Sequence, residues 1–253
     1  MLITPRHIVK LSFWAVVLFA PFLAAAQEPA VPVSQEPHHH LIFENSYVRA
    51  YYVEVAPHDS TLQHRHDLPY FAVLLSGGSV PGVAPAEAAP QPGGAPRAIY
   101  SAGGISHKVP NPADTPFRNV TVELLHPQDQ ARNRCQEVLP NQPRQECALL
   151  ASALPSPPYH YPVFETSEIL VEYWEVPANF TSPPAFGPED RFDRLLIALD
   201  GPTVSAAGST AARVPAQGGV LWLSAGAKPF FRTPPERGGH FFSITFKDTG
   251  RSR

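Results

Sequence analysis

The sequence predicts an all-β protein made of two similar β-barrels in tandem. Short runs rich in β-branched and aromatic residues recur along the chain, and turns rich in Gly and Pro separate them. Prolines number 31 among 253 residues, and charged residues make up only 16%. This composition is more typical of a turn-rich β protein than of a helical one. No long segment with helical periodicity follows the first 26 residues.

The chain repeats itself, which predicts two copies of one unit. The β-rich segment that begins at Phe43 is echoed by one that begins at Phe164, an offset of 121 residues, and both end at a proline. Residues 72–77 and 98–104 find similar echoes in 195–201 and 220–226. Because the period is far above 50 residues, duplicated domains are favoured over a solenoid. We expect domains at 38–126 and 163–248, joined by an interdomain linker at 127–162.

The first 26 residues have the pattern of a cleavable signal peptide. Arg6 and Lys10 precede an apolar stretch that is short for a membrane span, and three alanines end at Ala26. Cleavage after Ala26 would send the protein to the periplasm or outside the cell, with no membrane attachment. An uncleaved anchor is the alternative. Residues 27–37 are then expected to form an N-terminal linker.

The charge of the chain argues against a nucleic-acid partner, and its cysteines are considered for a disulfide. The net charge is −3 and no basic run stands out, so a nucleic-acid partner is not expected. Cys135 and Cys147 are the only cysteines. An even number in an exported chain favours a Cys135–Cys147 disulfide over two free thiols or metal ligands.

Three histidines predict a metal site. His64 and His66 share one side of an extended strand because residues i and i+2 point the same way. His107 follows Gly104 by three residues, and Asn111 follows four later. A facing strand would bring His107 to the pair, and three imidazoles suit a transition metal. The alternative is three unrelated surface or core histidines.

These residues resemble the two motifs of the cupin superfamily. The first motif places H-x-H before a Glu and then a Gly; here Gly77 matches, and Tyr70 stands at the Glu position. The second motif matches at Gly104, His107 and Asn111, with Ala102 in place of its proline. Gly104 would allow a tight turn or a close backbone approach before His107. The resemblance implies a bicupin, with two double-stranded β-helix (jelly-roll) barrels.

The second half lacks these ligands. No histidine occurs in 182–187, which corresponds to the histidine pair, and the later positions fall on Pro229 and Thr233. His240 has no partner at the motif spacing. The second barrel is therefore expected to be structural, or to help shape a groove or a dimer surface.

Two functions are compatible with this pattern. The resemblance implies a dioxygenase-type oxidoreductase with a divalent metal, Fe(II) favoured over Ni, Mn, Cu or Zn, acting on a small-molecule substrate; quercetinase-like cupins are the nearest analogy. The signal-peptide pattern adds that this enzyme would be exported. Tyr70 is the candidate catalytic residue, as a metal ligand or as a hydrogen-bond partner of substrate or water. The alternative is a non-catalytic cupin that binds a sugar or metabolite beside a structural metal. Open sheet edges would allow a homodimer.

Two polar features are expected to be solvent-facing. His38-His39-His40 is interpreted as a solvated or adventitious metal-binding tract. Asp67, beside the histidine pair, is interpreted as a turn residue.

Overall fold

The all-β expectation is confirmed. The structure, a computed structural model, describes residues 29–76, 97–144, 159–182, 191–200, 203–206, 217–227 and 229–247. The N-terminal half contains β1 (Val31–Pro32), β2 (His39–Glu44), β3 (Val48–Val55), β4 (His64–His66), β5 (Tyr70–Ser76), β6 (Ala98–Ser101), β7 (Ile105–His107) and β8 (Phe117–Leu124). A 3-10 turn at Val33–Gln35 joins β1 to β2.

The C-terminal half contains a similar but not identical series of strands. It contains β9 (Arg132–Asn133), β10 (Tyr159–Glu165), β11 (Ile169–Val176), β12 (Thr181–Ser182), β13 (Arg194–Asp200), β14 (Thr203–Ala206), β15 (Val220–Leu223), β16 (Pro229–Arg232) and β17 (Gly239–Phe246). Within the described residues no helix is long and apolar enough to cross a membrane.

Each half is built from a large sheet and a small sheet. In the first half the large sheet has the order β2-β3-β8-β5-β6, and the small sheet has the order β1-β4-β7. In the second half the large sheet runs β15-β13-β17-β11-β10-β9, and the small one β12-β16-β14. From β10 to β15, the second large sheet repeats the strand order of the first. The duplication seen in the sequence is therefore a duplication of topology.

The two halves pack together through their large sheets. Phe71 on β5 is fully buried, and its ring centroid lies 6.2 Å from that of Phe164 and 5.9 Å from that of Phe242. Val120 and Val122 on β8 belong to the same core, which spans both halves. The interface between the halves is thus a continuous apolar core.

Strand alternation turns the other face of the first large sheet toward the barrel interior. Tyr51 and Val53 of β3 lie on this face, with Tyr70 of β5 and with Asn119 and Thr121 of β8. This interior is therefore partly polar.

The equivalent face in the second half carries large apolar side chains beside buried polar ones. Trp174, Leu196, Leu223 and Phe241 are nearly fully buried. Glu172, Arg194, Ser243 and Thr245 alternate onto the same face and are buried as well. Filling with large side chains is consistent with the structural role expected for this half.

Strands occur in both segments that were expected as linkers, and the domain bounds themselves stay predictions. β1 and Glu36 fall in the segment expected as a linker, yet β1 pairs with β4 in parallel. β9, from the expected interdomain linker, joins the second large sheet through β10. The expected signal peptide, Gly77 and Cys147 lie outside the described residues, so cleavage at Ala26 and the Cys135–Cys147 disulfide stay predictions.

Candidate metal centre

The small sheet of the first half brings the three predicted histidines together. In the antiparallel pairing of β4 with β7, His64 stands opposite His107. Their ring centroids lie 4.5 Å apart, and that of His66 lies 5.1 Å from His64 and 5.2 Å from His107. Arg65, between the pair, points outward and forms an ion pair with the exposed Asp67. The i, i+2 spacing thus separates inward imidazoles from an outward guanidinium.

One ring nitrogen of His64 and one of His66 are buried without a hydrogen-bond partner among the described residues. The Nδ1–H of His64 donates to the carbonyl of Leu62 at 2.9 Å, and a carbonyl can only accept. In neutral His64 the lone pair is therefore on Nε2, which is buried without a hydrogen-bond partner in the described structure. Nδ1 of His66 is also buried without such a partner. Buried nitrogens of this kind are costly unless something binds them.

Burial keeps these imidazoles neutral. Desolvation lowers the pKa of His66 to about 2, with additional effects from His64, His107 and His39. Desolvation also lowers the pKa of His107 to about 4 and lowers that of His64. Neutral imidazole is the form that binds metals, so a cluster of such histidines fits a divalent transition metal.

His39 is a fourth imidazole at this place, which corrects the expectation of a solvated tract. β2 belongs to the large sheet, and only 4% of the His39 side chain is exposed. Its ring centroid lies 4.8 Å from that of His64 and 5.8 Å from that of His66. Ligand nitrogens of His39, His64 and His66 lie within 4.8 Å of one another. His40, in contrast, is exposed as predicted.

A buried carboxylate holds His39. The Nδ1–H of His39 donates to Oε2 of Glu36 at 2.6 Å. Glu36 is 1% exposed and also accepts from the amides of His38 and Leu62. Burial opposes its ionisation, but hydrogen bonds from His39, His38 and Leu62 together lower the pKa of Glu36 to about 2. Glu36 is therefore ionised at neutral pH.

Tyr70 faces the same interior, at the position where the cupin motif has a carboxylate. It is 6% exposed, and its ring centroid lies 4.4 Å from that of His66. Burial raises the pKa of Tyr70, although a hydrogen bond with the Ser101 side chain works in the opposite direction. The raised pKa favours the neutral phenol, a hydrogen-bond donor, over a tyrosinate ligand.

The turn before His107 depends on two glycines. Gly104, the motif glycine, has a φ of +69°, and a Cβ added there would meet nothing within 4 Å. Gly103 has a φ of +83°, and a Cβ there would lie 2.5 Å from both the backbone carbon and oxygen of Leu68. The close backbone approach that the motif led us to expect at Gly104 is therefore made by Gly103. A pair of glycines at a turn is the signal that pointed to this position.

Asn111 fastens the loop that follows His107. Its amide nitrogen donates to the carbonyls of Val55, Ala56 and Thr115 at 2.9–3.0 Å. Its oxygen accepts from the amide of Ala113. The side chain is 1% exposed, so these are buried bonds between the end of β3 and the loop after β7.

A cavity of about 210 Å³ lies against the histidines. His39, His64, His66 and His107 line one part of it, and its other described lining residues carry no formal charge. Its polar contributions come from Tyr70, Ser101, Asn119 and Thr121, and its apolar ones from Val53, Ala72, Leu74, Ile99, Tyr100, Ile105, Val109, Phe117 and Pro140. A small organic molecule fits such a cavity better than a polymer does.

The second half carries no such cluster among its described residues. His240 forms an ion pair with Asp200 at 2.8 Å and stacks near Tyr173. Thr233, at the position equivalent to Asn111, donates to the carbonyl of Pro177 and accepts from the amide of Phe180. The second half therefore keeps the hydrogen bonds that hold this loop, although it lacks the metal ligands. Pro229 lies in β16, and of 182–187 only Ser182 is described.

No protein-family model matches this sequence, and no curated protein matches it either. Solved structures match it by fold. AerE from Microcystis aeruginosa is 12% identical with a TM-score of 0.50, and the match covers 84% of this chain and 98% of that one. A cupin 2 conserved barrel domain protein from Leptotrichia buccalis is 8% identical, covering 82% and 87%, with a TM-score of 0.44. A variant of salicylate 1,2-dioxygenase from Pseudoaminobacter salicylatoxidans, in complex with gentisate, is 9% identical, covering 86% and 76%, with a TM-score of 0.48.

At these identities the likeness is one of fold. It agrees with the repeated strand order of the two halves and with the histidines that β4 and β7 bring together. The chain therefore has an all-β fold of two similar barrels in tandem, which agrees with the bicupin that its motifs resemble.

Proposed function

We propose that this protein is an exported, metal-dependent oxygenase that acts on a small organic substrate in its N-terminal barrel. The observation that carries the proposal is the convergence of buried, neutral imidazoles on one cavity of about 210 Å³. His64, His66 and His107 hold the metal, and Fe(II) is the favoured ion because the motif resembles that of dioxygenase-type cupins. Imidazole ligands also suit Ni, Mn, Cu or Zn.

A divalent ion at this place would supply Lewis acidity and, if it is iron, redox chemistry toward O₂ and substrate. The chain supplies the surroundings. The apolar wall of the cavity excludes water and binds the carbon skeleton of the substrate. Leu62 fixes the tautomer of His64 by accepting from its Nδ1–H, so that Nε2 stays available.

Tyr70 is proposed to orient the substrate rather than to bind the ion. Its phenol lies beside His66 and remains protonated, so it can donate to an oxygen of the substrate or of a bound water. Tyr70→Phe should therefore leave metal content unchanged while lowering turnover. Loss of the metal in this variant would instead make Tyr70 a ligand.

Metal analysis of the purified mature protein tests the metal site. The wild type should carry one divalent ion per chain, and a His64→Ala/His107→Ala variant should carry far less. Equal metal content in the two proteins would contradict the site. The control variant Arg65→Ala removes an outward side chain between the two ligands and should retain the ion.

Oxygen uptake after iron loading tests the reaction. We would use flavonols, diketones and dihydroxybenzoates, and uptake should depend on His64 and His107. Metal binding without uptake across this panel would favour the non-catalytic alternative, a ligand-binding cupin with a structural metal. Sequencing of the mature N-terminus tests export, since the proposal expects Gln27 as the first residue.

A further inference from the structure

We infer that His39 is a fourth metal ligand and that Glu36 is the carboxylate that positions it. The inference rests on the proposed metal site and adds a ligand from outside both sequence motifs. β2 of the large sheet carries His39, whereas the other three histidines belong to the facing small sheet. The ion would therefore be held between the two sheets of the first barrel.

Ring nitrogens of His39 and His64 lie close together, although the two histidines belong to different sheets. A ligand nitrogen of His39 lies within 4.8 Å of those of His64 and His66. Nδ1 of His39 is engaged with Glu36, so Nε2 is the nitrogen left to bind an ion. Nε2 of His64 is available for the same reason, since Leu62 engages its Nδ1. Two imidazoles from facing sheets thus offer the same ring atom to one place.

Glu36 is anchored in a single orientation. Its oxygens accept from the rings of His38 and His39 and from the amides of His38 and Leu62. A carboxylate with so many donors keeps one orientation, and it sets the plane of the His39 ring. Metal-bound histidines in proteins commonly donate their second nitrogen to a carboxylate in this way.

The charge of Glu36 also suits a place beside the ion. Four imidazole ligands add no negative charge to balance that of the ion, and Tyr70 stands where the cupin motif would supply a carboxylate. Glu36 provides a negative charge on the far side of the His39 ring, hydrogen-bonded to Nδ1 while Nε2 would bind the ion. A carboxylate bound to the imidazole also raises the basicity of the ligating nitrogen.

The neighbours of His39 offer a matched control. His40 follows directly on the same strand and is exposed, so His40→Ala removes the same side chain without touching the interior. The variants to compare are His39→Ala, His40→Ala, His64→Ala, Glu36→Gln and the His39→Ala/Glu36→Gln double variant. Each is stripped of metal, and its fold is checked by circular dichroism before titration.

Co(II) is the probe, and two readouts are measured on the full mature chain. Its affinity comes from competition with a chelator, and its visible absorption reports the number and kind of ligands. His39→Ala should lower Co(II) affinity at least about 10–100-fold, the range known for weakened ligand support, and should change the absorption. His40→Ala should change neither.

Glu36 is a positioning residue, so its effect should pass through His39. Glu36→Gln should lower Co(II) affinity about 10–100-fold in the wild-type background and much less in the His39→Ala background. An equal loss in both backgrounds would overturn the positioning role, because Glu36 would then act on the fold alone.

The outcomes separate this inference from the proposed function. If His64→Ala abolishes Co(II) binding while His39→Ala leaves affinity and absorption unchanged, the fourth ligand is wrong and the metal site stands. If His64→Ala also leaves binding unchanged, the metal site itself is wrong.

Discussion

His64 and His107 stand opposite each other on neighbouring antiparallel strands, with ring centroids 4.5 Å apart. The pairing of β4 with β7 determines this distance, because a slip of one residue would turn one ring to the outside. Two imidazoles this close in a buried place cannot both carry a proton at low cost. The metal-free protein should therefore be sensitive to acid.

The metal-free protein should lose stability as the pH falls from 7 to 4. Burial holds the pKa of His66 at about 2 and that of His107 at about 4, whereas an unfolded histidine titrates near 6.5. Below pH 6.5 the unfolded chain therefore binds more protons than the folded one, and acid favours unfolding. Each such histidine contributes at most about 1.4 kcal/mol per pH unit within its window.

Thermal unfolding of the metal-free protein across this range measures the effect. His66→Asn should show a weaker dependence on pH, since it removes one of these groups, and His40→Ala should keep the slope of the wild type. A melting temperature that stays constant between pH 7 and 4 would show that these histidines are not held neutral by the fold.

Gly103→Ala should destabilise the protein more than Gly104→Ala. Both glycines have positive φ, so each substitution strains the backbone by about 1–2 kcal/mol. At Gly103 the new Cβ would also meet the backbone of Leu68 at 2.5 Å, whereas at Gly104 it would meet nothing within 4 Å. Urea unfolding of the two variants gives the comparison, and equal losses would mean that the Leu68 backbone moves away freely.

Part of the site could be predicted from sequence and part could not. The spacing of His64 and His66 predicts their shared face because a strand alternates with period 2. The distant His107 could be added only through its resemblance to a cupin motif. The offset of 121 residues between the halves predicted the repeated strand order.

The sequence did not identify His39 as a site residue because it lies within a run of three histidines. A run of three histidines resembles a solvated tract, and nothing in the run shows which member points inward. That is decided by the pairing of β2 with β3, where His39 stands opposite Val53. Its counterpart in the second half, His160, stands opposite Trp174 and stacks on that ring at 4.1 Å. A histidine at this strand position is therefore not enough to form a metal site, because His160 occupies the equivalent position in a half without the other ligands.

Asn111→Ala should weaken both the fold and the metal site. It removes donors from the carbonyls of Val55, Ala56 and Thr115, and unsatisfied buried groups cost about 1–3 kcal/mol each before water compensates. Because Asn111 fastens the loop after His107, Co(II) affinity should fall as well. Thr233→Val makes the matching change in the second half and should lower stability in urea without changing Co(II) affinity. Equal Co(II) affinity in both variants would show that the loop does not position His107.

Phe71→Ala should destabilise both halves together. Phe71 is fully buried between Phe164 and Phe242 in the core that joins the two large sheets. Truncating a buried phenylalanine typically costs about 3–5 kcal/mol. Because the core is continuous, the loss should appear in one unfolding transition rather than in two.

Two probes can follow the halves separately in urea. Trp222 stacks on Phe43 and Tyr47 of the first half, so the measurement is made in a Trp222→Phe background. The fluorescence of the mature chain then comes from Trp174, which is buried inside the second half, while Co(II) absorption reports on the first. The two unfolding curves should coincide in the wild type and also in Phe71→Ala. The midpoint urea concentration should be lower in the variant. Leu41→Ala, at a side chain that is 52% exposed, should shift neither curve by more than about 0.5 kcal/mol. Separated curves in the wild type would mean that the two barrels unfold independently despite their shared core.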